Sequence, residues 1–311
     1  MEIGLNAAIV SIVAGSPHIL TANQPEGIDR DGLPYGRFNP LVHRTMEEGL
    51  RRLAEEQTGL RPGYVEQLYT FGDRGRTPAH GEGPHVVSVG YLALTRTNEK
   101  APMGDSAWRN WYDFFPWEDW RNGRPGQLDE VIIPALKSWA DTPSRKPAII
   151  RGLDPATRVR LAFGLEEGTW DDEQVLDRYE LMYSAGLVEE AVADGRISQA
   201  RAKRSLGVAM LHDHRRILAT AIARLRSKLK YRPVIFELMP DTFTLLELQK
   251  TVECIFGRAV HKQNFRRLVE NAQLVEPTGE SQPATGGRPA ALFRFRSEIL
   301  RERPAAGLKA G

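Results

Sequence analysis

The segment from Asp241 to Arg296 constrains the fold most, because its patterning switches from helix to helix to hairpin with little chain to spare. In "DTFTLLELQKTVECIFG", Thr244 and Glu247 form a T-x-x-E capping box ahead of an apolar series at Leu245, Leu248, Val252 and Ile255, and Gly257 supplies the stop. "HKQNFRRLVENAQLVEP" then starts a second short helix. Phe265, Leu268 and Ala272 are expected to face inward, leaving Lys262, Gln263, Asn264, Arg266, Arg267 and Asn271 outward. Two short helices around a glycine turn predict a helix-turn-helix. "QLVEPTG" and "AALFRFR" suit strands, and the loop "ESQPATGGRP" between them carries Arg288. Helix, helix and a hairpin with a basic tip make a winged helix.

The outward residues fit nucleic acid. Arginine forks onto guanine, asparagine and glutamine onto adenine, and lysine or arginine onto phosphates. Lys262, Gln263, Asn264, Arg266, Arg267 and Arg288 are therefore the candidate DNA contacts. The charge layout agrees: residues 213–311 hold 18 Lys+Arg against 10 Asp+Glu, a balance of +8, and the rest of the chain carries −6. A solvated basic surface, or a helical hairpin that docks on another protein, is the alternative.

Upstream of this unit the first hundred residues read as mixed α/β. "AAIVSIV" (7–13), "VEQLYTF" (65–71) and "HVVSVGYLAL" (85–94) are strand candidates. Residues 45–57 are helix-like, with Met46, Leu50, Leu53 and Ala54 as a stripe and Gly59 as the stop. "WRNWYDFFPWEDW" (108–120) then concentrates four of the six tryptophans, and frequent prolines from 102 to 147 rule against a long regular element. Helical patterning resumes from Asp154, a cap followed by Pro155, to about Met210, with Ser198 as another cap. A strong helix is expected over 214–230, where Leu218, Ile222, Leu225 and Leu229 form the stripe and Arg216, Arg224, Arg226, Lys228 and Lys230 occupy other faces. The organisation predicted is residues 1–212 as one domain, including an insertion over about 100–207, and residues 213–311 as a winged-helix domain with a leading linker helix.

Several function classes fall away. The single cysteine, Cys254, gives neither a disulfide nor a cysteine-based zinc site. His212 and His214, two apart, diverge on a helix and lack a visible third ligand, so a structural or hinge role is expected. No Walker or dinucleotide fingerprint is present. No apolar run is long enough to span a bilayer and no signal pattern opens the chain, so a cytoplasmic protein without membrane association is expected.

The stretch "GLRRLAEEQTGL" (49–60) resembles the signature helix of the Nudix fold, G-x5-E-x7-R-E-U-x-E-E-x-G-U with U aliphatic. Anchored on Gly59-Leu60, Arg52 matches the signature arginine and Glu56 the first residue of the E-E pair. The other glutamate positions hold Leu53, Gln57 and Arg44, and the opening glycine position holds Phe38, or Gly36 with a short gap. Working signatures bind magnesium through carboxylates three and four apart on one helical face. Losing two of them to a leucine and an amide, with Arg44 adding positive charge, predicts poor metal binding and no catalytic residue. Arg52 and Glu56 are instead spaced to pair.

Further stretches, "QLYTFGDRGRTP", "LHDHRRILATAIARLRSKLKYRPVIFELMP", "FTLLELQ", "NFRRLVE" and "GGRPAALFRFR", are similar to NrtR-type regulators. These are Nudix-related transcriptional repressors of NAD metabolism. The Trp-rich and helical insertion is similar to the longer NadQ-type members, which regulate NAD synthesis. The resemblance implies an α/β Nudix-like domain with a Trp-rich helical insertion, followed by a C-terminal winged helix. It also implies a homodimer on palindromic double-stranded operator DNA, and an effector nucleotide such as ADP-ribose, NAD(H) or ATP, with no required cofactor or metal. Arg37, Arg74 and Arg76 are candidate phosphate contacts and Trp108 and Trp111 candidate stacking partners for the rings. The alternative for these is exposed loop arginines, and tryptophans that pack the insertion onto the body. An active hydrolase of ADP-ribose-type substrates with an appended DNA-binding domain, or an RNA- or protein-binding winged helix, are the competing functions.

Overall fold

A computed structural model describes residues 2–22, 30–72, 86–96, 106–142, 152–195, 206–282 and 289–299. The front domain is built on β1 (Glu2–Val13), a long apolar strand with three neighbours. Its first nine residues run parallel to β5 (Val86–Leu94). On the other side it pairs antiparallel with β3 (Tyr35–Arg37) near its start and β2 (Ser16–Thr21) near its end. β4 (Tyr64–Phe71) and β6 (Ala107–Asn110) close the sheet, in the order β4-β5-β1-β2-β6. The three strands expected from the sequence are present, and β2, β3 and β6 are additional.

A sheet with a central parallel pair needs cover on both faces, and alternate residues are divided accordingly. Leu5, Ala7 and Ile9 with Val89, Tyr91 and Ala93 pack under α1 (Met46–Thr58) through Leu50 and Ala54. Ala8, Val10, Leu92 and Leu94 face the larger core that contains α7 (His214–Leu229). Helix α1 is capped as expected: Thr45 Oγ1 accepts from Glu48 N at 3.1 Å, and Gly59 ends it at φ 71°.

Helix α7 lies across β1, β4 and β5 and packs along α5 (Val175–Ala185). Expected as the leader of the C-terminal domain, it packs on the front domain's sheet and α5 as well as on the C-terminal unit. Three of its four arginines are inside. Arg215 pairs with Glu190 at 3.1 Å, Arg216 with Glu180 and Asp213, and Arg226 with Glu118 at 2.7 Å. The basic excess of the C-terminal third is thus partly neutralised by acids of the front domain.

The Trp-rich stretch is compact rather than extended. After β6 it forms α2 (Trp111–Phe114) and a 3-10 turn over Pro116–Glu118, then, past a π-helical turn, α3 (Ile133–Ala140). Next come α4 (Pro155–Ala162), α5 and α6 (Glu189–Ala193). Asp154 caps α4 as expected, accepting from Thr157 N at 3.0 Å; Ser198 lies outside the described residues. Trp111, Phe114, Phe115 and Trp117 are fully buried.

At the centre of this core Glu118 is fully buried between Arg178 and Arg226, with oxygen–nitrogen distances of 2.6–2.9 Å. Burial alone raises a carboxyl pKa, but the two guanidiniums outweigh it and hold Glu118 below the usual range. Removing one partner from such a cluster leaves an uncompensated buried charge.

The C-terminal unit comprises α8 (Leu245–Phe256), α9 (Lys262–Ala272), β7 (Val275–Gln282) and β8 (Ala290–Phe295), with β7 and β8 antiparallel. Among the described residues no helix is long and apolar enough to cross a membrane.

Candidate functional site

Helix α8 begins with the expected capping box: Thr244 Oγ1 accepts from Glu247 N at 3.2 Å, and Glu247 Oε2 accepts from Thr244 N at 2.7 Å. Gly257 ends it in the left-handed conformation at φ 73°. The turn into α9 is fixed by two side chains of α8. Gln249 donates to Val260 O at 3.0 Å and to Glu253 Oε1 at 2.9 Å, and that carboxylate accepts from Val260 N at 2.9 Å. This leaves the two helices one rigid relative geometry.

On α9, Phe265 and Val269 are buried and Leu268 and Ala272 half-buried. Val269 joins the inward set that the sequence placed at Phe265, Leu268 and Ala272. Lys262, Gln263, Asn264, Arg266, Arg267 and Asn271 are exposed along one continuous face. Lys262, Arg266 and Arg267 make no ion pair among the described residues. The structure therefore brings together five of the six candidate DNA contacts; Arg288 lies outside the described residues. Phe243 pairs with Phe293 through two backbone bonds of 2.8 and 2.9 Å, adding a third short strand segment to the wing. Rings of Phe236 and Phe295 stack at 4.3 Å beneath it. A helix with free cations and amides on a rigid base has the shape and donors to read a major groove.

In the front domain, every carboxylate of α1 already has a partner. Glu47 takes Arg51 at 2.9 Å, Glu48 takes Arg44 N at 3.2 Å, Glu55 takes Arg61 at 2.5 Å, and Glu56 takes Arg52 at 2.8 Å. The Arg52–Glu56 pair is the one the spacing predicts. Leu53 packs against Gly36, where a Cβ would lie 2.1 Å from its Cδ1. Gln57 does something the sequence does not announce. Its Oε1 accepts from Tyr35 N at 3.2 Å and its Nε2 donates to Tyr35 O at 2.8 Å, so the amide pairs with β3 as a neighbouring strand would. One surface carboxylate shared with an arginine, a leucine and an engaged amide do not fit a magnesium ion.

Among the described residues, the ligand-contact candidates do not form one cluster. Arg37, on β3, is exposed and pairs with Glu2 at 2.9 Å. Trp108 is half-buried against the α1 side of the sheet. Trp111 is fully buried on the opposite side, edge-on to Tyr112 at 5.7 Å. Its ring is a core side chain, because the helix that follows β6 turns it under the sheet; it presents no open stacking face. Arg74 and Arg76 lie outside the described residues. His214 is structural: its Nδ1 accepts from Leu33 N at 2.9 Å, and burial pushes its pKa down to about 3.

Comparison with known proteins agrees with this division. Residues 235–295 match the family model of the NrtR DNA-binding winged helix domain. The ADPR responsive transcriptional repressor NtrR of Acinetobacter baylyi is 41% identical over 93 residues, 30% of this chain. That match spans 37% of the relative's length. Shewanella oneidensis NrtR, in a crystal structure with a 27mer DNA, superposes over 97% of this chain and 96% of its own, with a TM-score of 0.56 at 20% identity. A MutT/nudix family protein from Enterococcus faecalis superposes over 95% of this chain and 86% of its own, with a TM-score of 0.54 at 18% identity. Residues 235–295 therefore match an NrtR-type winged-helix domain, carried by a chain that shares the overall fold of the Shewanella NrtR structure.

Proposed function

We propose that this chain is a transcriptional repressor of NAD biosynthesis genes, binding operator DNA through α9 and the wing. The observation that carries the reading is the exposed Lys262–Asn271 face of α9 within an NrtR-type winged helix. Two copies presenting α9 about one DNA turn apart would match a palindromic operator, so a homodimer is part of the proposal. The front domain acts as the sensor of an NAD-related or adenine nucleotide. The name of the Acinetobacter relative makes ADP-ribose the first effector to test, with NAD(H) and ATP beside it. A ligand weakens DNA binding by favouring a dimer geometry that misplaces the two helices. The chain works in the cytoplasm.

The α1 donor set supports a sensor that does not turn its ligand over. With magnesium and ADP-ribose, no hydrolysis is expected; hydrolysis abolished by Glu56→Gln would restore the enzyme reading. The central test is fluorescence anisotropy on duplexes from upstream of NAD-synthesis genes, titrated with each nucleotide. Single alanine substitutions at Lys262, Arg266, Arg267 and Arg288 should weaken binding. Each one that removes a phosphate partner should also flatten the slope of log K against log salt by about 0.9. Unchanged affinity in all four sinks the reading.

A further inference from the structure

The last turn of any α-helix leaves carbonyls that the helix itself cannot satisfy. At the C-terminus of α8 these acceptors are served from the other domain. Tyr112 Oη donates to Cys254 O at 2.7 Å, Arg226 Nε to Ile255 O at 2.8 Å, and Trp120 N to Gly257 O at 2.5 Å. Arg226 is itself aimed by Glu118 Oε2 at 2.7 Å and by Asp172 O at 3.1 Å. One residue beyond the helix stop, Arg258 reaches the Asp172 carboxylate at 2.6 Å. The fit is close: a Cβ on Gly257 would lie 2.3 Å from Glu118 O and 2.7 Å from Tyr112 Oη.

We propose that the Trp-rich and helical insertion, together with α7, is the orienting bracket of the DNA-reading unit, with Tyr112, Glu118 and Asp172 of the insertion and Arg226 of α7 as positioning residues. They fix the end of α8, and the rigid turn made by Gln249 and Glu253 carries that orientation into α9. This role rests on α9 being the reading helix. The lever is sensitive. Eleven residues of α9 extend about 16 Å, so a tilt of about 10° moves its far end by about 3 Å, close to one base-pair step. Loss of a bracket bond lets the winged helix sample undocked orientations, and apparent DNA affinity falls with the fraction still docked.

Two variants test this without removing charge from the DNA side. Tyr112→Phe keeps the buried ring and deletes one donor. Asp172→Asn releases Arg258 while leaving its guanidinium in place, so a direct phosphate contact by Arg258 would survive the change. The full-length chain carries spin labels at Arg61→Cys and Glu280→Cys, both exposed positions; the native Cys254 is buried. Label-to-label distances are measured without DNA, well below the unfolding temperature, and operator affinity separately by anisotropy. Both variants should broaden the distance distribution and weaken operator binding by about tenfold. Distributions that match the parent in both variants overturn the bracket, as does unchanged affinity when the distributions have broadened. Broadened distributions in the two variants, with a parent chain that binds no operator duplex, support the bracket and refute the DNA reading.

Discussion

His214 offers a quantitative test of how the front domain is held together. It opens α7 and accepts the Leu33 amide proton on Nδ1, which requires a neutral ring. Burial, reinforced by the neighbouring His212, lowers its pKa from 6.5 to about 3. At pH 7.5 the ring is neutral in both folded and unfolded chains, and its contribution to stability is fully present. Below 6.5 the unfolded chain takes up a proton that the folded chain refuses, so stability falls with pH until the folded value is reached. Each unit costs about 1.4 kcal/mol, and pH 5 lies about 1.5 units below the unfolded pKa, giving about 2 kcal/mol. His214→Gln keeps an acceptor for Leu33 N and does not titrate. Urea denaturation followed by tryptophan fluorescence at pH 7.5 and 5 should therefore show the parent losing about 2 kcal/mol more than the variant. His212 and all carboxylates are common to both chains and cancel. Parallel losses, agreeing within about 0.5 kcal/mol, would refute the neutral, proton-accepting ring.

Glu118→Gln deprives the buried Arg178 and Arg226 of their shared, hydrogen-bonded carboxylate and should destabilise the fold by about 3–5 kcal/mol, read as a lower melting temperature. Thr244→Ala removes the α8 capping box and should cost about 1 kcal/mol in the same measurement.

Elements with a cap, an apolar stripe and a glycine stop were legible in the sequence, as in α1 and α8, and the outward face of α9 followed from its stripe. The strands that escaped it, β2, β3 and β6, are short, and pairing with β1 or with each other stabilises them more than their own composition does. Arg216 and Arg226 of α7 were legible as charges but not as interior residues. Periodicity assigns charge to solvent unless a partner is visible, and the partner of Arg226 is Glu118, 108 residues away. A hint was present, since Glu118 stands among Phe115, Trp117 and Trp120, where an unpaired carboxylate would be costly. The tryptophans left stacking and packing both open in the sequence: Trp111 is fully buried, as the packing alternative has it, and Trp108 sits across the sheet from it.

The Gln57 amide bears on the history open to such a chain. A carboxylate at that position accepts hydrogen bonds but cannot donate one, so Gln57→Glu would leave Tyr35 O without its partner and set a negative charge beside it. Placing a carboxylate ligand at this position of α1 therefore means first loosening β3 from the helix. The amide works as a ratchet: while it is built into the strand, any route to a charged face runs through a less stable protein.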